Sequence, residues 1–540
     1  MNIKALSTSA LIFLLILIFS VAAFARSDEQ VESVTFYAFT QKYAPVRHEA
    51  AKMVAESWRE LGLEVKFRPQ EFSSLVSRYL DHDLQALSMF WSARPERLNP
   101  QLFLENWTTG ASNNASDFSD HRYDELVEKA GSSTDREQRR DYIYQAQEIL
   151  AEQVPSIFIF HRNTLSAYNK SIVEDLKPLP GDNPFWNVWT LMEAEPKKDE
   201  PYVRATTRSP KTLNPLGVSY TIEMESLAMN WDRLVRIGFD GSPRPWAARE
   251  WSWISSTELE VSLRDDLRWH DGDKVTAEDV QFTYDFLKKW KQPYLSSYYE
   301  NVESVRIEDQ TTVVFVLEDP SPSFVVQSLS QIPILPRHIW EGVVENKGLS
   351  HPKEWSEEKS LVGSGPFEVA YFEPDERIVF EKSENHFAAD RIPFDTLVLR
   401  IFGNLDTAIG AVETGRATFV DELQPLQFDR ADSNNSLEAV SAPSFSFTAI
   451  FLGTDEPPFD DLSLRKACRY AIDKSQIVNT TLHGKGDVAW SPIAPANEYW
   501  HNSELPTYPH DPERARQILK DAGYRWDSDG RLLRPAEETN

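Results

Sequence analysis

One cysteine in 540 residues, Cys468, excludes a disulfide framework and every thiolate zinc site. Glycine is also sparse: 20 residues against 33 prolines, so the turns are stiffened by proline more than freed by glycine. The 11 histidines fall into no metal-ligand spacing. There is no Gly-x-Ser-x-Gly elbow, no His-Glu-x-x-His and no phosphate loop, so no catalytic residue, metal or cofactor is expected. Basic charge is the minority, 56 Lys+Arg against 84 Asp+Glu, for a net charge of -28. That excludes a basic nucleic-acid footprint and a surface drawn to anionic lipid. Past the first 25 residues no stretch is apolar and long enough to span a bilayer. What is present is core material: 41% hydrophobic residues and a mean hydropathy of -0.46. The length suggests three or four domains, or two large lobes. The aromatic stock of 16 Trp, 18 Tyr and 30 Phe reads as core packing or, more sharply, as including rings that line a ligand pocket.

Met1 to Lys4 is a short basic start, and Ala5 to Ala22 is apolar around Leu11–Phe19. Ala23-Phe24-Ala25 then offers small residues at both positions a signal peptidase reads. Residues 1–25 therefore read as a cleavable secretory signal, with an uncleaved membrane anchor as the alternative. No cysteine follows the apolar run, so a lipoprotein is not expected. The mature chain is expected to be exported, soluble and monomeric.

Hydrophobic spacing predicts helices over Val46–Leu61, closed by Gly62, over Tyr123–Ala130 and Arg136–Gln153, and over Pro512–Ala522, closed by Gly523. Thr276 reads as an N-cap for a helix running to Trp290, with Glu278 and Asp279 at the favourable end of its dipole. Leu464–Ile472 reads as a helix that buries Cys468 as a small hydrophobe. Strands are expected at Leu63–Phe67, Ile157–Phe160, Tyr202–Thr206, Leu259–Leu263, Val313–Leu317 and Ile378–Glu381. Pro196–Pro201, charged between two prolines, reads as a linker. The fold class is α/β with mixed sheets.

The run Leu263-Arg264-Asp265-Asp266-Leu267-Arg268-Trp269-His270-Asp271-Gly272, followed by Val275-Thr276-Ala277-Glu278-Asp279-Val280, resembles the family 5 extracellular solute-binding proteins, the peptide- and nickel-type receptors of ATP-binding-cassette (ABC) importers. Thr212-Leu213-Asn214-Pro215, Asn230-Trp231-Asp232-Arg233-Leu234, Gly363-Ser364-Gly365-Pro366-Phe367 and Pro458-Phe459-Asp460-Asp461 with Tyr470-Ala471-Ile472-Asp473 are similar to further family motifs. The resemblance implies a two-lobed fold of the periplasmic-binding-protein type, with an extra domain, that closes on a ligand.

The motifs stand in an unusual order. What the family places after Ala522-Gly523-Tyr524 is found here at the front, from Val34-Thr35-Phe36-Tyr37 through Phe90-Trp91-Ser92-Ala93-Arg94 to Val154-Pro155-Ser156-Ile157. Residues 31–195 resemble the family's last third and 202–540 its first two thirds, so the chain reads as circularly permuted, with Pro196–Pro201 joining the ancestral ends. A truncated tandem array is the alternative. The expected division is a C-terminal-lobe segment at 31–170, a return strand and linker at 171–201, an N-terminal lobe at 202–445 with an extra domain at about 245–360, and the rest of the C-terminal lobe at 446–540.

The resemblance also assigns a ligand site. Ser219, Tyr220 and Thr221 stand at the ligand-facing edge, Phe72 where an aromatic wall is common, and Trp91-Ser92-Ala93-Arg94 at the stretch that meets the ligand's terminus. Relatives that bind free peptides end that stretch in an aspartate; here it is Arg94, a cation that favours a carboxylate or phosphate. Asn114 reads either as a turn residue or as a polar contact. Trp269 is expected to be structural, and His270 and Asp271 to be turn residues. Thr418 departs from a usual aspartate. The expected function is capture of a peptide-like, carboxylate-bearing solute and its delivery to an inner-membrane ABC permease from the periplasm. A chaperone-like or sensory module on the same fold, and a non-functional rearranged product, are the alternatives.

Overall fold

A computed structural model describes residues 30–93 and 98–535. The expected signal at 1–25 and Arg94 lie outside these residues. The chain forms two units. One takes the described residues up to Ser88, with 451–473 and those from Tyr508 onward; the other takes Met89–Ile450 and Lys474–Thr507.

The first unit is built on parallel pairing. Val34–Phe39 runs beside Val65–Gln70, from Val34 opposite Val65 to Phe39 opposite Gln70, and beside Ala86–Trp91 through Phe36 and Tyr37. Parallel neighbours need a crossover, and the helix Pro45–Glu60 supplies it. Its buried face is Ala50, Ala51, Val54, Ala55 and Trp58, a stripe at helical spacing. Gly62 ends it at φ +103°, where an added Cβ would lie 2.6 Å from the Gly530 carbonyl oxygen. Trp58 packs on Phe36 and Phe459, and its Nε1 donates to the Cys468 carbonyl oxygen at 3.2 Å. Cys468 sits in the helix Leu462–Tyr470, fully buried, and burial pushes its thiol up.

The second unit contains a seven-stranded mixed sheet. Its order is Phe367–Glu373, Arg377–Lys382, Thr396–Ile401, Tyr202–Thr206, Phe419–Val420, Thr164–Asn169, Leu437–Ala442. Tyr202–Thr206 runs parallel to both its neighbours; Thr164–Asn169 is antiparallel to both of its own. A strand from the front of the sequence is thus inserted between two strands from beyond residue 400. Thr418, wholly buried, ties the junction: its Oγ1 accepts the Val203 N–H at 2.9 Å, and its carbonyl accepts the Asn169 N–H at 2.9 Å.

A four-stranded antiparallel sheet, Ala248–Trp253, Glu258–Leu263, Thr312–Leu317 and Val302–Ile307, lies in the same unit. Leu259, Val261 and Leu263 alternate inward, as their spacing predicts. The helix Ala277–Trp290 packs on this sheet. Its start is fixed by Asp279, whose Oδ2 accepts the Thr276 N–H at 2.9 Å. The predicted linker is partly tied down: Glu195–Pro196 pairs with Val173–Glu174, and the Lys197 N–H donates to the Ile172 carbonyl. Among the described residues no helix is long and apolar enough to cross a membrane.

Candidate functional site

The helix Thr221–Asn230 is buried along nearly its whole length. Thr221, Met224, Glu225, Ala228 and Met229 follow i, i+3, i+4, i+7, i+8 spacing, so they share one face. That face lines a cavity of about 120 Å³. Two devices hold the helix. At its start, Glu223 is 1% exposed and accepts three backbone N–H groups: Lys211 at 3.0 Å, Ser219 at 2.7 Å and Tyr220 at 3.1 Å. At its end the Gly363-Ser364-Gly365 turn presses on the backbone, with the Gly365 N–H donating to the Asn230 carbonyl at 2.9 Å. A Cβ on Gly363 would lie 2.0 Å from that carbonyl oxygen, so only glycine fits. His270 locks the turn from the other side. Its Nδ1 accepts the Gly363 N–H and its Nε2 donates to the Gly365 carbonyl at 3.0 Å, which fixes a neutral ring. Burial lowers its pKa in the same sense.

The loop Leu179–Asn183 forms the facing wall. Gly181 takes φ +124°, and its carbonyl accepts the Thr164 hydroxyl at 2.7 Å. The Asp182 N–H donates to the Ala93 carbonyl, so the loop is fixed at both ends of this turn. Trp189, Tyr294 and Tyr298 add rings. Charge of both signs reaches the wall: Asp182, Glu225, Arg233 and Arg236. Arg233 donates to the Ser330 and Met224 carbonyls at 3.1 and 3.3 Å. Arg236 donates to the Ala228 carbonyl at 2.8 Å and lies 3.7 Å from Asp232. Burial draws its pKa down to about 10, still charged at neutral pH.

Behind Glu225 lies a buried charge network. Arg204, with no exposed side-chain surface, reaches Glu225 at 2.7 Å and Asp421 at 2.9 Å. Arg208 reaches Glu225 at 3.4 Å and Glu422 at 2.9 Å. Burial pulls the Glu225 carboxyl upward, but Arg208 and Arg204 outweigh it and hold the group below its ordinary range. At Asp421 burial prevails over Arg204. At Glu422 burial prevails over Arg208 and lifts the pKa from 4.5 to about 7.

Thr221 lines the cavity; Ser219 and Tyr220 stand just before it, with Tyr220 61% exposed. Trp91 and Ser92, half-buried, adjoin Ala93 on the cavity wall. Phe72 lies in the first unit, stacked on Tyr43 and Phe39. Asn114 is buried and spends its amide within its own turn, on the Thr108 and Phe118 carbonyls. Trp269 is buried to 1% exposure in the turn that the Trp269 N–H closes on the Asp273 carbonyl. Sequence reasoning missed the 179–183 loop, Trp189, Arg233, Arg236 and the two tyrosines. The one local signal was the helical stripe from Thr221 to Met229. Among the described residues one group has metal-ligand spacing, Asp271, Asp273 and His338, all exposed. There the His338 Nε2 already meets the Asp271 carboxylate at 2.8 Å.

A family model described as bacterial extracellular solute-binding proteins, family 5 Middle, matches residues 242–540. The oligopeptide-binding protein AppA of Bacillus subtilis is 28% identical over 268 residues, which is 49% of this chain and 48% of that protein. Heme-binding protein A of Haemophilus influenzae is 25% identical over 358 residues, 62% of this chain and 63% of that one. The dipeptide-binding protein of Escherichia coli is 24% identical over 340 residues, 58% and 62%. The chain therefore spans about half to somewhat under two thirds of the length of the curated relatives it matches. Among solved structures, NikZ from Campylobacter jejuni in complex with Ni(L-His) has a TM-score of 0.47 at 21% identity, covering 63% of this chain and 66% of that one. AppA from Bacillus subtilis in complex with a nonapeptide has a TM-score of 0.45 at 22% identity, covering 63% and 67%.

Proposed function

Because the chain belongs to the bacterial extracellular solute-binding proteins, family 5, we propose that it captures a small peptide-like solute outside the cytoplasmic membrane and hands it to an ABC importer. The observation that carries this reading is the cavity along the Thr221–Met229 face, where rings, a fixed carboxylate and guanidinium groups converge. Such a mixture of apolar wall and few polar groups is what a small-molecule site requires. Opposite charges on the wall suit a zwitterion. Asp182 has no ion pair within 4 Å among the described residues and would meet an ammonium group; Arg233 and Arg236 would draw a carboxylate. Thr221 and the stretch from Trp91 belong to this site; the curated relatives named for oligopeptide and dipeptide binding favour the same solute class. The segment order is, in this reading, a circular permutation. The insertion of Thr164–Asn169 between Phe419–Val420 and Leu437–Ala442 supports it, since the front segment completes a sheet rather than forming a separate domain.

The test is a thermal-shift screen of the purified protein against dipeptides and tripeptides, their N-acetylated and C-amidated forms, free amino acids and sugars. A ligand held by the native state at a hundred times its Kd adds about 2.7 kcal/mol to stability and raises the midpoint. Free peptides should shift it, and blocking either terminus should reduce the shift. A midpoint that moves with sugars alone, or with none of these solutes, would overturn the reading.

A further inference from the structure

The second unit holds another cavity, of about 240 Å³, walled by residues that the solute site does not use. A small apolar cluster separates the two. Its members Ala93 and Ile237 line the first cavity, and Leu98, with Val326 packed on the cluster, lines the second. Three half-buried indoles face this second space: Trp251, Trp253 and Trp500.

Its polar wall combines hydroxyls with the Asn99 amide and two guanidinium groups. Asn99 is 3% exposed and uses its Oδ1 twice, accepting from Arg139 Nη2 at 2.7 Å and from the Gln101 N–H at 3.2 Å. Its amide nitrogen, equally buried, has no partner among the described residues. Leaving such a donor unmatched is costly, because its desolvation is not offset. Arg139 is buried beside it. Its Nε donates to the Ala130 carbonyl at 2.9 Å, and it forms no ion pair among the described residues. Burial lowers its pKa to about 10, against the longer-range pull of Glu105, so it remains a cation at neutral pH. The Arg139 guanidinium also lies over the Trp500 ring, 4.9 Å from its centroid. A buried cation without a carboxylate partner among the described residues, next to a buried donor without one, is an arrangement that proteins normally avoid. Arg136 adds a second guanidinium on the wall, at the first position of the helix Arg136–Gln153, whose dipole also favours negative charge there. Of the described acids at the start of this helix, Asp135 accepts the Gln138 N–H as the cap, and Glu137 pairs with Arg140 at 2.7 Å.

We propose that this second cavity binds a small aromatic anion. Its carboxylate or phosphate would accept hydrogen bonds from the Asn99 amide and the arginines, and its ring would lie among Trp251, Trp253 and Trp500.

Indole fluorescence titration of the purified full chain with benzoate, phenyl phosphate and benzylamine tests this. The two anions should quench saturably, the tighter one identifying the headgroup, and benzylamine should not. Asn99→Asp keeps the acceptor that Arg139 and Gln101 use and exchanges the free donor for a carboxylate that pairs with Arg139; it should weaken anion binding at least tenfold without lowering the melting midpoint. Trp253→Ala should weaken it severalfold. Thr221→Phe, which obstructs the first cavity, should leave benzoate affinity as it was. Benzylamine binding as tightly as the anions, failure of both anions to bind, an unaffected Asn99→Asp variant, or loss of benzoate binding in Thr221→Phe would each overturn the assignment.

Discussion

Glu422 shows how one side chain can carry a pH signature. Burial beside Arg208 raises its pKa from 4.5 to about 7, so between those values the native state holds a proton that the unfolded chain has released. Stability therefore falls as pH rises through that window. Glu225 has the opposite sign: Arg208 and Arg204 depress it, and its contribution is present above the ordinary carboxylate range and lost only in acid. The two windows hardly overlap, so a difference measurement separates them. Glu422→Gln should melt increasingly above the parent chain as pH rises from 5 to 7.5, gaining about 1–2 °C. A difference that stays level across that range would mean that Glu422 titrates as an ordinary surface acid. None of this was legible in the sequence, where Asp421-Glu422 is one acidic pair among 84 acidic residues. Burial, which decides the shift, comes from strands distant in the chain.

At the scale of elements, local pattern was a good guide where the physics is local. The helices Arg136–Gln153 and Ala277–Trp290 and the strand Tyr202–Thr206 lie where periodicity and capping place them. The cavity was less legible, because its walls come from residues 179–189, 221–237, 294–298 and 330–331, which no spacing rule connects. The motifs that pointed to the family turn out to support the site indirectly. Gly363 and His270 do not line the cavity; they clamp the end of the helix that does. Gly363→Ala should therefore act on both stability and solute binding. The new Cβ meets a backbone oxygen that cannot swing aside, and overpacking of this kind costs about 1–3 kcal/mol. Urea denaturation should show that loss, and the solute-induced thermal shift should shrink with it. A stability change within a few tenths of a kcal/mol would show that the approach to Asn230 has slack.

At the scale of the molecule, the circular permutation proposed above makes a direct prediction. A chain rewritten to begin at Tyr202, run to residue 535 and continue into residues 31–195 keeps every strand neighbour of the seven-stranded sheet. It should give the same circular dichroism, one cooperative melt and the same solute response as the natural order. Two transitions, or an insoluble product, would show that the present order is required for the fold. The motifs made the family legible, whereas the place of Thr164–Asn169 within the sheet emerged only in three dimensions.

That inserted strand also sets a timetable. As the chain leaves the ribosome, Thr164–Asn169 emerges early with both hydrogen-bonding edges bare, and neither partner exists until residues 419–420 and 437–442 have been made. For about half of its synthesis the nascent chain therefore carries an unpaired strand with open edges, a template for pairing with the wrong neighbour. A holdase that covers residues 164–169 until the last quarter of translation is the kind of escort this order of segments makes useful.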